Sequence, residues 1–354
     1  MISLTKNQLV NVMVSIILIR LYLSFPRELL INAGNAAWLL VIFLSILAFI
    51  LFYAISHIYK RNESILEIAE NTGGKTFKII TGLSATAFIL LKLSGHIKLF
   101  IESIQIVLLN NTPTEIIILL LAITLIIGAR SGIESLSIIS GLFLPVVITV
   151  LIAFLVLLVP NIDIKNLTPV LGNGAKSIFV DSLNLLSLFG DLFILNFLLP
   201  YCKEKDALSK SGYKTIIING IIFLAFMLVY ASVFPYPVSS EFIIPIFQLT
   251  RIVEIGDFFG RFEAFFEFVW AISFFIYAAI NIWILSIIWQ KTFNLKYYQP
   301  LTLPMTVFSI GIGFLQPNML EIINGNAKFS WISVGFAFLV PLIYGFLSNI
   351  RQKN

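Results

Sequence analysis

The sequence predicts an all-α polytopic membrane protein with ten transmembrane helices. Two observations lead to this prediction. The chain of 354 residues is 59% hydrophobic with a mean hydropathy of +0.99, and apolar stretches near bilayer-spanning length recur along it. Charged residues make up 12%, about half of the ~25% usual in soluble domains. Soluble enzymes, nucleic-acid-binding proteins and disordered chains are therefore disfavoured.

Ten apolar segments follow one another along the chain. The first contains Arg20 and leads into Pro26 without a small-residue cleavage site, which predicts a retained helix rather than a cleaved signal peptide. The third is long and must tilt or project, whereas the fourth and ninth are short for a core of ~30 Å. The segments cover residues 9–31, 36–58, 77–109, 115–129, 136–159, 179–199, 213–234, 263–289, 301–316 and 331–349.

Lysine and arginine predict the orientation of these helices. With the N-terminus inside, 14 of these residues fall on that face and 6 on the opposite face. Cytoplasmic loops carry the excess of positive charge, so both termini are expected in the cytoplasm. The same bias explains the net charge of +5 without a nucleic-acid partner.

The ten helices divide into two sets of five with opposite orientations. Residues 1–354 are predicted to form one transmembrane domain, with 1–160 as the first repeat and 161–354 as the second. Such inverted repeats are common in secondary transporters, whose sites lie between discontinuous helices near the membrane midplane. The division rests on the helix count, because the halves share no visible sequence identity.

Ionisable side chains at membrane depth are costly and usually face a cavity or a partner. Arg20 lies in the first segment, shortly before Ser24 and Pro26, where the proline favours a kink. It could bind a carboxylate ligand, pair with Asp191 or Glu102, or reach outward to the interface. The sequence alone leaves these alternatives open.

The third segment carries four ionisable residues. Lys98 and Glu102 are four apart, so they can pair on one helix face. Lys92 and His96 are also four apart on a different face, which indicates a wet surface. His96 could carry a proton or serve as a hydrogen-bonding residue.

The sixth segment contains Asn184 and the pair Gly190 and Asp191 near its middle. Glycine allows unwinding, so a helix break there could offer free backbone groups to a ligand. Close helix packing against Gly190 is the alternative interpretation. The eighth segment opens with Glu263 and Glu267 and carries Asn281 deeper in.

No pattern for catalysis appears in the sequence. It lacks a nucleophile–histidine–acid set, a phosphate or dinucleotide loop and a metal-ligand spacing. Its one cysteine, Cys202, excludes an internal disulfide and a cysteine metal cluster. We therefore expect no enzymatic activity, no cofactor and no metal.

Two outer loops, 161–177 and 235–262, are long enough for a lid, a partner surface or a solvated connector.

Several strings in this sequence resemble the membrane B subunit of bacterial spore nutrient-germinant receptors, the endospore germination permeases. One is Phe25-Pro26-Arg27-Glu28-Leu29, and the most specific runs from Arg251 to Trp270. The others lie at 33–39, 100–104, 108–113, 129–134 and 167–174, and all keep their order. The resemblance is stronger for the set than for any one string.

The resemblance implies the fold of amino acid–polyamine–organocation transporters, a LeuT-like 5+5 inverted repeat with broken helices 1 and 6. It implies a receptor for a small nutrient such as an amino acid, working with an A subunit and a lipoprotein C subunit in the inner spore membrane, with a pocket among helices 1, 3, 6 and 8. The candidate ligand-binding residues are Arg20, Ser24, Lys92, His96, Asn184, Gly190, Asp191 and Tyr277.

One departure from the family pattern affects the expected pocket. Small residues often precede the Pro-Arg pair in that family, whereas this chain has Ile19-Arg20-Leu21 there. Bulk and charge replace a flexible stretch, so Arg20 is expected to alter ligand choice or remove the binding of a small amino acid. A proton-coupled amino-acid transporter and a membrane scaffold for partner subunits remain the alternative functions.

Overall fold

The computed structural model describes residues 4–59, 63–202, 204, 206–253, 262–315 and 329–351. These residues form helices with short 3-10 and π turns, and no β-strand occurs among them. The helices are α1 (Lys6–Tyr22), α2 (Phe25–Ala33), α3 (Ala37–Ile58), α4 (Ile65–Val107), α5 (Thr114–Arg130), α6 (Gly132–Leu157), α7 (Ala207–Val233), α8 (Phe262–Thr292), α9 (Thr302–Phe314) and α10 (Phe329–Asn349). Ser177–Tyr201, between α6 and α7, is called the irregular segment, and Val238–Glu241 and Pro245–Thr250 are short helices.

The prediction of an all-α polytopic membrane protein is confirmed. Seven helical stretches of the described chain are long and apolar enough to cross a bilayer, and they are Phe25–Ile58, Ile65–Val107, Gly132–Leu157, Ser177–Tyr201, Ala207–Val233, Phe265–Thr292 and Phe329–Asn349. The predicted segments 9–31, 115–129 and 301–316 correspond to the shorter helices α1 with α2, α5 and α9. The count of ten spans and the inverted repeat stay predictions.

Local sequence explains where the first and longest helices begin. Thr5 caps α1, because its hydroxyl accepts from the Gln8 amide at 3.3 Å while the Gln8 side chain accepts from the Thr5 amide at 2.9 Å. Ser64 and Glu67 form the same capping box before α4. Gly74 adopts φ +72° inside α4, so the 43-residue helix is interrupted before its apolar part begins.

The first predicted segment is interrupted between α1 and α2. Leu23 has an extended backbone, and Ser24 follows it before α2 begins at Phe25. Pro26 lies in the first turn of α2, where an amide N–H has no partner within the helix and its absence costs little. The kink expected at Pro26 is therefore a short break just before it.

The irregular segment is not a continuous α-helix. A π turn covers Ser177–Asp181 and a 3-10 helix covers Leu183–Ile194, before a single α turn at Leu195–Leu198. Runs of 3-10 helix longer than about four residues are uncommon, and they often mark a hinge or a strained stretch. The backbone at Phe189 departs from helical geometry, with φ −96° and ψ 15°.

Helix α8 lies at the centre of the fold. Its apolar span is 89% buried, and it packs against α1, α4, α5 and α6. Trp270, Phe274, Tyr277 and Trp283 on this helix are almost completely buried. By contrast, isoleucine and leucine side chains on α3, α5 and α6 are exposed, as expected of faces in contact with lipid.

The loop between α6 and the irregular segment is fastened to the end of α2. The Asn173 side-chain amide donates to the carbonyls of Ile31 and Asn32, each at 3.1 Å, and Ser177 Oγ donates to the Asn32 carbonyl. Gly172 has φ +47°, and a Cβ there would lie 1.9 Å from the Ala33 carbonyl oxygen. Only glycine fits this approach, so the strings at 33–39 and 167–174 form one contact.

The opposite end of the molecule gathers the N-terminus and the chain after the irregular segment. Leu4 forms a parallel β-bridge with Cys202, and Lys6 forms an ion pair with Glu204. The hydrogen bond from Lys6 lowers the pKa of Glu204. Exposed pairs of this kind contribute little to stability. The contact places two predicted cytoplasmic segments side by side.

The second predicted outer loop, 235–262, is described only as far as residue 253. Residues 254–261, and with them much of the string from Arg251 to Trp270, lie outside the described residues. The interpretation of this loop as a lid, a partner surface or a connector stays a prediction.

Substitution of Gly82 tests the packing of α4 on α8. A Cβ at Gly82 would lie 2.0 Å from Thr292 Oγ1, whereas a Cβ at Gly311 in α9 meets no atom within 4 Å. We expect Gly82→Val to lower the thermal unfolding midpoint of the purified protein, because overpacking typically costs about 1–3 kcal/mol. Gly311→Val is the matched control. Equal midpoints for the two variants would contradict the close contact.

Candidate functional site

Three charged side chains from different parts of the chain meet inside the helical bundle. Asp191 accepts a hydrogen bond from Arg20 Nε at 3.2 Å through Oδ2, and its Oδ1 forms an ion pair with Lys92 Nζ. Asp191 is 0% exposed, Lys92 4% and Arg20 8%. We call these three residues the charge cluster. Of the partners considered for Arg20, the structure selects Asp191.

The local structure of each segment places the cluster. Arg20 lies in the last turn of α1, just before the interruption at Leu23. Asp191 lies two residues after Phe189, whose backbone is not helical, and Lys92 lies in the apolar part of α4. The cluster therefore connects both interrupted segments with a third, long helix.

Gly190, the residue before Asp191, lies close to Ser333 of α10. A Cβ at this position would lie 2.1 Å from Ser333 Oγ and 3.5 Å from Arg20 Nη2. Close packing at Gly190 is thus observed, and the departure from helical geometry lies at the preceding residue, Phe189. The interpretation that Gly190 offers free backbone groups to a ligand stays a prediction.

The cluster holds two cationic groups against one acidic group. In their charged forms Arg20, Lys92 and Asp191 sum to a net charge of +1. Aromatic rings lie near both cations: Arg20 is 5.7 Å from the Phe25 ring and Lys92 is 5.7 Å from the Phe88 ring. Cation–π contacts stabilise such groups only partly. The arrangement suits a further anionic group.

His96 and Tyr277 form a second pair next to the cluster. His96 Nδ1 lies 2.7 Å from the Tyr277 hydroxyl oxygen, and His96 is one helical turn from Lys92 on α4. Tyr277 belongs to the central helix α8 and is fully buried. The structure thus brings Arg20, Lys92, His96, Gly190, Asp191 and Tyr277 into one region.

Two predicted site residues are less closely integrated. Ser24 is buried at the interruption, and its backbone carbonyl accepts from the Glu28 amide at 3.2 Å. Asn184 lies in the irregular segment, and its buried side-chain oxygen has no hydrogen-bond partner within the described part of the chain. Lys98 pairs with Glu102 at 3.0 Å, as predicted from their spacing, and this ion pair is separate from the charge cluster.

One buried acid was not among the predicted ligand-binding residues. Glu267 is 1% exposed, and its Oε2 accepts a hydrogen bond from the Tyr22 hydroxyl at 2.6 Å. Tyr22 stacks on Trp270 with ring centroids 5.6 Å apart. The sequence places Glu267 near the start of the eighth segment. No sequence pattern indicates its contact with Tyr22, although Tyr22 is only two residues beyond Arg20.

The charge cluster predicts a definite order of stability among single substitutions. Asp191→Asn leaves two cations without an acid, whereas Lys92→Met leaves the neutral pair of Arg20 and Asp191. Removing one partner of a buried ion pair typically costs about 3–5 kcal/mol when the other charge remains unpaired. We expect Asp191→Asn to lower the thermal unfolding midpoint more than Lys92→Met or Arg20→Met. The reverse order in purified protein would contradict the shared carboxylate.

Comparison with known proteins shows which family this chain resembles. The family model described as spore germination protein matches residues 3–324. Spore germination protein A2 of Bacillus subtilis (strain 168) is 25% identical over 337 residues, covering 94% of this chain and 91% of that protein. Spore germination protein KB of the same organism is 23% identical over 338 residues, with 91% and 89% covered.

A third relative is spore germination protein XB of Bacillus anthracis, 25% identical over 270 residues, covering 75% of this chain and 74% of that protein. The family match extends from before α1 to beyond α9 and so includes every residue of the charge cluster. The helical membrane fold agrees with this assignment. The chain belongs to the spore germination protein family.

Proposed function

We propose that this chain is the membrane subunit of a spore germination receptor that senses a small nutrient carrying a carboxylate, such as an amino acid. The single observation that supports this most directly is the charge cluster, which holds two cations and one acid in a buried place. The germination role agrees with the family and with the names of its relatives.

The proposed ligand carboxylate competes with Asp191 for its cationic partners. A charged group in an apolar interior is stable only when paired, and the cluster holds one cation more than it has acids, so a ligand carboxylate can take one of Arg20 and Lys92 while the other stays with Asp191. This sharing would loosen the tie between α1 and the irregular segment. Both segments are interrupted near the cluster, so the loss of this tie changes the angle at which they cross.

Arg20 distinguishes this site from an ordinary amino-acid pocket. A guanidinium group with planar donors suits bidentate recognition of a carboxylate, whereas an unwound glycine stretch would use backbone amides. The interruption at Leu23 and Ser24 is short. Side-chain recognition by Arg20 and Lys92 is therefore the proposed mode, with His96 and Tyr277 beside it.

We further propose the setting in which the subunit works. Residues 1–160 and 161–354 are taken as inverted five-helix repeats, with both termini cytoplasmic in the inner spore membrane. An A subunit and a lipoprotein C subunit are the proposed partners, and ion release is the proposed outcome of sensing. Co-purification of the three subunits from spores tests the partnership, and neighbouring genes for such subunits would support it.

Matched lysine variants test the sensing role. We expect Lys92→Met to raise the nutrient concentration for half-maximal germination at least about tenfold. A loss of about 1.4 kcal/mol of ligand-binding free energy is enough for this change. Lys98→Met, on the same helix but in the separate pair with Glu102, should leave the response unchanged. The assay uses spores given each amino acid, with sugars and nucleosides for comparison.

Protein abundance in the spore membrane is the control for this experiment. Normal germination of Lys92→Met spores at normal abundance would refute the proposed site. Equal impairment by Lys92→Met and Lys98→Met would also refute it, because the effect would then follow from general disturbance of α4. Binding of labelled nutrient to the purified complex distinguishes sensing from later steps.

The alternative function is proton-coupled amino-acid transport, and Glu267 is the observation that favours it. No cationic side chain of the described residues lies within salt-bridge distance of this buried acid, and its hydrogen bond comes from the neutral Tyr22. Buried acids of this kind serve as proton carriers in pumps and transporters. Tyr22 lies at the interruption of the first segment, so protonation there would act on a hinge.

Uptake measurements separate the two functions. Under the transporter alternative, proteoliposomes should accumulate labelled amino acid under a pH gradient, and Glu267→Gln should abolish this accumulation. Tyr22→Phe should change its pH dependence, because the carboxyl loses its hydrogen-bond donor. Absence of uptake, together with loss of germination on gene deletion, would remove the transporter alternative. The receptor proposal fails if uptake is present and deletion leaves germination intact.

A further inference from the structure

A concave groove lies between α3 and α7 on the outer surface of the bundle. Its volume is about 320 Å³, and its walls are apolar side chains, mainly Ile42, Ile46, Ile50, Ile217, Ile221 and Leu224. Gly220 and Ser45 also line it, and a Cβ on Gly220 would lie 2.7 Å from Ser45 Oγ. The helices thus touch at the floor while Ile46 and Ile221 stand exposed at the rims.

Basic side chains continue the line of the groove at one end. On α7, Lys210, Lys214, Ile217 and Ile221 follow spacings of four, three and four residues, which place them on one helix face. On α3, Ile46, Ile50, Tyr53 and His57 follow the same spacing toward the end of that helix. Both walls therefore lead from isoleucine to a basic residue.

Contacts between the helices confirm that these residues share one end. Ser56 Oγ lies 2.7 Å from the Tyr213 hydroxyl oxygen, and the Phe49 and Tyr213 rings are 4.7 Å apart. Lys210 pairs with Asp206 at 3.3 Å. No acidic side chain of the described residues is within salt-bridge distance of Lys214, so its charge is available to another anion.

The length of α7 from Lys214 to the far end of the groove is close to the thickness of one bilayer leaflet. Ten residues separate Lys214 from Leu224, which corresponds to about 15 Å along a helix. The hydrocarbon core of a bilayer is ~30 Å thick, so this is about half of it. A lipid acyl chain that begins beside Lys214 would thus reach the end of the groove at Leu224, near the bilayer midplane.

We propose that one acyl chain of an anionic phospholipid occupies this groove, with its negatively charged headgroup held by Lys214 and His57. The basic mouth complements an anionic headgroup, and basic segments at the membrane surface attract such lipids. An acyl chain in the groove makes packing contacts with the exposed isoleucines, which would lack these contacts if the groove were empty.

Native mass spectrometry of the purified full-length chain tests the proposal. Detergent-solubilised protein is given phosphatidylglycerol or phosphatidylcholine with identical acyl chains. We expect phosphatidylglycerol to be retained about fivefold more, as expected for one lysine near a membrane surface. Lys214→Gln should remove this preference, while Ile221→Trp should reduce retention of both lipids by filling the groove.

Matched variants outside the groove are the controls. Lys75→Gln removes an exposed lysine from α4, and Ile343→Trp enlarges an exposed isoleucine on α10. Neither should alter lipid retention. Equal retention of the two lipids by the unmodified chain would overturn the proposal, as would retention unaffected by Ile221→Trp. Loss of a co-purifying second copy or partner subunit with Ile221→Trp, without loss of lipid, would assign the groove to a protein instead.

Discussion

A carboxylate in an apolar interior is stable only beside cationic partners, and Asp191 takes two of them from distant parts of the chain. Arg20 comes from α1 and Lys92 from α4, so one buried oxygen pair fixes three segments relative to one another. The close contact of Gly190 with Ser333 adds α10 to this arrangement. Helix α8 is connected to this arrangement by the contact of its Tyr277 with His96 of α4. The proposed ligand site is thus also a junction of the fold.

Much of the fold follows from composition and from the spacing of apolar segments. The helical membrane class, the long α4 and the pair of Lys98 and Glu102 could be predicted, because each depends on local periodicity. The partner of Arg20 could not be chosen from the sequence. That choice depends on how three segments cross in space, and both Asp191 and Glu102 were compatible with the pattern of charges.

Other features escaped prediction because they arise from backbone geometry or from long-range contacts. The extended 3-10 character of Leu183–Ile194 has no distinct sequence pattern, since its residues also suit an α-helix. The bond between Tyr22 and Glu267 joins residues 245 positions apart. Strings that suggested the family at 33–39 and 167–174 proved to be two sides of one contact, formed around Gly172 and Asn173.

That contact has a mechanical consequence when considered with the charge cluster. The first segment and the irregular segment are joined at two places, by Arg20 with Asp191 and by Asn32 of α2 with Ser177. Each segment is interrupted between its two attachments, at Leu23 in one and at Phe189 in the other. The two segments and their two bridges thus form a closed loop, in which a change of angle at one interruption requires a compensating change at the other or the loss of a bridge.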